Sequence, residues 1–423
     1  MKGPAATAAQ EWRSGWTLVL TSFVGFLYFS AMFSSMSVLI GPISQEFGWS
    51  RTLVSAGSSL SAITTAVLSP FFGILIDKYG TRKLALPGLV ITAFALSAMA
   101  LADGSTAQWL ALWAIYAVIT LSVKTTVWTT AVAGVFEKSR GLALAVTLAG
   151  ATAAHTIMPV LSNFLVINFG WRMTFVWIGM GLGALALLLS FFFLYDAHDR
   201  HKSAVLADGE ARTARPEFPG LAVSEAWRDW ALWRVGISIF MIMALTIGLL
   251  YHQIEILAEV GVSRTNAAWL ASLAGAVGIL GKIVTGMLLD RYRGNWGGGI
   301  TMSSAAIAFA ILLMGAKTVP LLVFAMLVNG YTAGAKLHIA SYLTVQYCGM
   351  KNFGKIYGVI TTMVSLGSGI GPLVAGMIYD ATGNYDAFLM AGTVGLVVSG
   401  AMLFTLPGYP DWGEREKAGV QPA

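Results

Sequence analysis

The 423-residue chain is poor in charge, cysteine, proline and histidine. Asp, Glu, Lys and Arg make up 11% of it, and there are 12 prolines, 5 histidines and 1 cysteine. A soluble domain carries roughly 25% charged residues, so a water-covered surface is excluded. The lone Cys348 excludes a disulfide framework. No spacing of Cys, His, Asp or Glu suits a metal, no glycine-rich loop suits a phosphate, and no nucleophile stands with a base. These absences leave catalysis, a cofactor and a resident metal without support. Hydrophobic residues make up 57%, which excludes disorder and a collagen-like repeat.

What remains is long and apolar. Stretches free of Asp, Glu, Lys and Arg run over 14–45, 52–76, 84–102, 104–123, 141–171, 173–195, 235–254, 294–316, 318–335, 356–379 and 387–410. Another, 265–289, is broken once by Lys282, and two continue past Lys124 and Lys336. A membrane span needs about 20 apolar residues, so the expectation is an all-α membrane protein of twelve transmembrane helices. The first run is too long for a signal-peptide core and lacks a small-residue cleavage pattern, so it reads as a retained span.

Lys and Arg bias sets the orientation. With the N-terminus inside, inner loops hold Lys78, Arg82, Lys83, Lys138, Arg140, Arg291, Arg293, Lys351 and Lys355, whereas outer loops hold Arg51, Arg172, Arg264 and Lys317. Both termini then lie in the cytoplasm, with the chain multi-pass in the cell's inner (plasma) membrane. This pattern accounts for the net charge of +6 without nucleic acid as a partner. The connector 196–230 holds mixed charges, Pro216 and Pro219, as a flexible linker does. Asp196, His198, Asp199 and His201 offer metal-ligating side chains there, but composition favours a solvated linker over a metal site. The domains are therefore 1–195, a linker 196–230, and 231–423.

Shifting the chain by 213 positions superposes the two halves: Gly48 meets Gly261, Ser50-Arg51-Thr52 meets Ser263-Arg264-Thr265, Gly73 and Asp77 meet Gly286 and Asp290. Gly141 meets Gly354, Pro159 meets Pro372, Gly170 meets Gly383 and Phe175 meets Phe388. Parallel repeats imply two pseudo-symmetric six-helix bundles and transport by alternating access around a midplane site.

The stretch G-I-L-I-D-K-Y-G-T-R-K at 73–83 resembles the loop motif of the major facilitator superfamily. The resemblance implies gating roles: Gly73 lets spans 2 and 11 approach, Asp77 faces a helix N-terminus, and Arg82 and Lys83 anchor the loop. The second copy keeps Gly286 and Asp290 but not the later glycine or basic pair. F-E-K-S-R-G-L-A-L-A-V-T-L-A-G at 136–150, N-F-G-K-I-Y-G at 352–358 and G-S-G-I-G-P-L at 367–373 resemble the monocarboxylate transporter and oxalate/formate carrier group. Gly15-Trp16 partly matches that group's N-terminal motif. The resemblance implies an organic anion as substrate, often moved with a proton. The group's span-8 arginine is Lys282 here, with Gly278 one turn earlier, so lactate or oxalate specificity does not transfer.

Charges inside spans are rare and mark substrate paths. Lys124, Lys282 and Lys336 are cations, while Glu255 and Glu259 belong to the outer end of span 7. Three cations without a central carboxylate read as an anion site. Reading span 4 as one helix, i±4 spacing puts Thr120 and Trp128 on the Lys124 face. The same spacing puts Thr332 with Lys336, and Asn329 lies two turns back. Tyr28 and Ser35 on span 1 complete the substrate-binding set. His155 and His338 are the candidate proton relays.

The expected function is secondary active transport of an organic carboxylate, larger than lactate and aromatic or dianionic, with proton coupling through a lysine that can release its proton where arginine cannot. The alternatives are a small monocarboxylate transporter and, in another class, a non-transporting sensor on the same fold. The expected partners are the small-molecule anion, protons and the lipid bilayer, with the chain acting as a monomer.

Overall fold

In the computed structural model the described residues are 7–136, 138–195, 220–292, 294–315, 318–349 and 351–410. Within the helices, the side chains of Pro70, Gly73, Ile74, Asp77, Gly141, Asp290 and Gly354 lie outside that description, as do residues 196–219 of the connector. Two compact units emerge, residues 1–211 with 264–275, and residues 212–263 with 276–423.

In the first unit α1 spans Ala8–Phe47, started by a Thr7–Gln10 capping box and stopped at Gly48, whose φ of 64° is left-handed. Next come α2 (Arg51–Tyr79), capped by Ser50, and α3 (Thr81–Ser97). They are followed by α4 (Thr106–Ile119), α5 (Thr125–Ala133), α6 (Arg140–Val176) and α7 (Gly183–Phe193). The second unit holds the short α8 (Val223–Ala226), α9 (Trp230–Glu259), α11 (Gly294–Leu313), α12 (Val319–Cys348), α13 (Phe353–Thr382) and α14 (Asp386–Phe404). Helix α10 (Arg264–Arg291) contributes Arg264–Gly275 to the first unit and its remainder to the second.

Eleven helical runs are long and apolar enough to cross a membrane among the described residues. The longest, Leu142–Phe193 with 52 residues, turns at Gly170 (φ 77°, ψ 166°), a conformation that only glycine adopts at no cost. It therefore counts as two spans, and the total is twelve. The repeat reuses this punctuation: Gly383, 213 positions on, closes α13 with φ 79°.

Packing repeats as well. In the first unit α1 lies along α6, α2 along α4 and α3 along α7; in the second α9 lies along α13 and α11 along α14. Small residues permit these crossings, as apolar lipid leaves close backbone packing to hold membrane helices together. A Cβ on Gly150 would strike Phe23 O of α1, and one on Gly371 would strike Ala244 O of α9. The end of the connector is ordered: residues 220–230, expected within the linker, contain α8 and an antiparallel bridge from Gly220 to Gly349.

Candidate functional site

Lys124 does not lie within a continuous helix. Helix α4 ends at Ile119, Thr120–Val123 form a 3-10 turn, and Lys124 is extended (φ −68°, ψ 164°) before α5 begins. The local sequence explains the break. Thr120, Val123, Thr125, Thr126 and Val127 are β-branched, which weakens helix. The half-buried Lys124 Nζ donates to Ser69 Oγ at 2.7 Å and to Thr65 O at 3.4 Å, both on α2. Lys124 also occupies the N-cap of α5, where the helix dipole adds positive potential.

The break corrects the expected face. Because i±4 geometry fails across it, Thr120 and Trp128 do not flank Lys124 as one stripe. Trp128 is fully buried, its ring rests on Gly25 of α1, and its Nε1 donates to Val123 O at 2.8 Å. The indole thus satisfies a carbonyl near the break. Thr120 is fully buried. Tyr28 is buried with its hydroxyl donating to Gly179 O at 3.4 Å. Ser35 donates to Ala31 O and accepts from Ser162 Oγ, each at 2.8 Å. Trp128, Tyr28 and Ser35, expected to contact substrate, are buried and each bonds a group of its own unit. His155 is half-buried on α6, its Nδ1 2.8 Å from Ser34 Oγ, which itself bonds Ser30 O.

In the second unit Lys336 is 6% exposed near the middle of the unbroken α12. Its Nζ donates to Thr246 Oγ1 of α9 at 2.7 Å, while Thr246 spends its own hydrogen on Ile242 O at 2.6 Å. Thr332 donates to Val328 O at 3.0 Å and lies 3.3 Å from Ser304 Oγ. Asn329 is buried, and its Oδ1 has no partner. Lys282 is half-buried on α10, and His338 is exposed on α12. Helices α10 and α12 approach closely, since a Cβ on Gly334 would strike Gly278 O. A cavity of about 700 Å³ beside them, lined by Leu288, Tyr292, Trp296, Ile300, Ser304 and Tyr331 among others, includes none of the three lysines in its wall.

Of the gating set, Arg82 donates to Phe191 O at 2.8 Å near the end of α7, Lys83 is exposed, and Gly286 faces open space. The side chains of Gly73, Asp77 and Asp290 lie outside the described residues. No group of three metal-ligating side chains occurs among the described residues.

Sequence reasoning missed the partners of the lysines, Ser69, Thr65 and Thr246, because a serine or threonine in a span carries no signal of its own. The break in span 4 was missed as well, although Thr120 and Val123 are β-branched. Glu11 was missed too, while His252 stood out as a polar residue toward the outer end of span 7. Glu11 is buried at the start of α1, and His252 is fully buried between Tyr385 Oη (2.7 Å) and Pro372 O (3.0 Å).

The family model of the Major Facilitator Superfamily matches residues 21–256 and 246–422. The chain is 24% identical over 408 residues to Monocarboxylate transporter 13 of Bos taurus, covering 93% of this chain and 90% of that protein. Monocarboxylate transporter 12 of Homo sapiens is 22% identical, with 89% and 78% covered. MFS-type transporter 1 of an Ophiocordyceps species is 26% identical, with 85% and 77% covered. Among solved structures, a bacterial homolog of the human lysosomal transporter Spinster, inward-facing and unoccupied, superposes with a TM-score of 0.72 at 17% identity, covering 94% of this chain and 97% of that one. The last likeness concerns the fold. With the family matched over nearly the whole chain, this multi-pass membrane protein is a transporter rather than an enzyme, and it belongs to the major facilitator superfamily.

Proposed function

We propose that the protein moves an organic carboxylate across the membrane by alternating access, with Lys124 and Lys336 supplying the positive charge that holds it. One observation carries this reading. Each unit places a lysine within apolar helices, and the hydrogen bonds of each go to neutral oxygens: Ser69 Oγ and Thr65 O for Lys124, Thr246 Oγ1 for Lys336. An ammonium has three donors, so each retains hydrogen-bonding capacity for an anion. The N-terminus of α5 reinforces the charge at Lys124. Lys282 extends the cationic path, and Asn329 Oδ1, an unsatisfied acceptor, suits a hydroxyl or amino group on a larger acid.

The substrate in this reading is an aromatic or dianionic carboxylate. A small monocarboxylate is the second reading, favoured by the likeness to Monocarboxylate transporters 12 and 13. Coupling to protons follows from the residue type: a lysine can load and release a proton with its anion, which arginine cannot do. His155 and His338 are the relays in this scheme. In this reading both termini lie in the cytoplasm, which the bias of Lys and Arg toward the inner loops supports, and the chain works as a monomer.

A thermal-shift screen of carboxylates, followed by uptake into proteoliposomes under a pH gradient, tests the reading. Lys→Arg variants at 124, 282 and 336 should include one that still exchanges substrate but no longer accumulates it. If every active variant still accumulates substrate, the lysines bind anion alone and the proton scheme is wrong.

A further inference from the structure

Both units fasten the entry to their fifth span, α6 and α13, at the same repeat position, by different chemistry. In the first, the buried Glu11 carboxylate accepts from Lys138 N (2.9 and 3.1 Å), Ser139 N (3.0 Å) and Ser139 Oγ (3.1 Å). Ser139 precedes α6 with φ −117° and ψ 28°. At the repeat offset of 213 stands Asn352, which precedes α13 with φ −123° and ψ 25°. Its partner is the end of the connector: Asn352 Nδ2 donates to Leu221 O at 2.9 Å, Leu221 N donates to Cys348 O at 2.8 Å, and Gly220 bridges Gly349. A Cβ on Gly220 would lie 2.7 Å from Cys348 O and 2.8 Å from Lys351 N, both backbone atoms, so the strap requires glycine there.

Cys348 is the last residue of α12, and Lys336 stands on the same unbroken helix. Twelve residues separate them, about 18 Å at 1.5 Å per residue. A slip of one residue along a helix turns a side chain by about 100°. Fixing the Cys348 end therefore fixes the direction of the lysine. The first unit differs, because the break at Lys124 leaves its clasp acting on α5 alone.

We infer that Gly220, Leu221 and Asn352 are positioning residues for Lys336: the strap made by the end of the connector holds α12 so that the ammonium meets Thr246 and the substrate. This role rests on the carboxylate reading above. It also makes the connector a mechanical input to the site, since its last residues are bound to the helix that carries the lysine.

The chain's single cysteine, buried under the strap, is a built-in reporter. Maleimide labelling of Cys348 in the full chain should be slow. It should quicken about fivefold or more, the factor that loss of one hydrogen bond's free energy produces, in Asn352→Ala and Gly220→Val. In proteoliposomes given labelled benzoate or lactate, the same variants should raise KM about fivefold with kcat retained. Unchanged labelling would show that the strap does not hold α12. Faster labelling with KM unchanged would make the strap a stability element and overturn the positioning role. If the wild-type chain takes up neither acid nor a dianion such as labelled succinate, the carboxylate reading falls and this role with it, while the labelling rates still report whether the strap closes.

Discussion

The Lys124 ammonium lies 2.7 Å from the Ser69 hydroxyl, and the repeat carries Ser69 onto Lys282. One unit thus joins its second and fourth spans through a lysine on the fourth and a hydroxyl on the second. In the other unit the lysine has moved to the equivalent of the hydroxyl, and Lys336 turns instead to Thr246 of α9. The two bundles share a backbone plan and differ in where the cations sit.

The hydroxyl partners orient the amines. Ser69→Ala and Thr246→Val each remove one hydrogen bond to an ammonium, worth about 1.5–3 kcal/mol when a charged group is involved. Each variant should stay folded and raise KM for carboxylate uptake about tenfold, measured in proteoliposomes. Unchanged KM in both would mean that these hydroxyls merely park the lysines.

Trp128 holds the break in the fourth span. Trp128→Ala should cost about 3–5 kcal/mol by cavity formation, read as an earlier thermal transition in detergent. Trp128→Phe should lose only the bond to Val123 O, about 1 kcal/mol. If Trp128→Phe instead abolished substrate binding at full stability, the indole would be a substrate contact after all.

Gly334 sits where α12 crosses α10. Gly334→Val drives side-chain atoms onto Gly278 O, and overpacking of this kind costs about 1–3 kcal/mol. The expected outcome is a lower melting temperature together with weaker uptake, since Lys336 is two positions along the same helix.

Glu11 caps a helix that is not its own. Glu11→Ala leaves the amides of Lys138 and Ser139 without their acceptor, a loss of about 1–3 kcal/mol. Amide hydrogen exchange over residues 138–143 should quicken while α2 and α3 keep their protection. Glu11→Asp should retain part of that protection.

Much of the fold was legible because bilayer physics writes it plainly. Uncharged runs gave the spans, and glycines paired at the 213-residue offset marked real turns: Gly48 and Gly261, like Gly170 and Gly383, all take positive φ. The three lysines stood out because charge is costly inside a span. What surrounds them was not legible. An i±4 rule presumes an unbroken helix, and it failed at Lys124, where the β-branched run opens the chain. It also cannot tell a residue facing a path from one facing a neighbour. Contacts between distant segments, such as Glu11 with Ser139 or Leu221 with Asn352, depend on tertiary packing that no local pattern carries.

If Lys124 and Lys336 hold the anion, carboxylate uptake should depend on their charge, which the Lys124→Gln, Lys336→Gln double variant removes. The protein should remain folded in detergent, run as a single species, and show no carboxylate uptake above empty liposomes, with each single variant strongly impaired. Uptake by the double variant at the wild-type rate and KM would contradict the account.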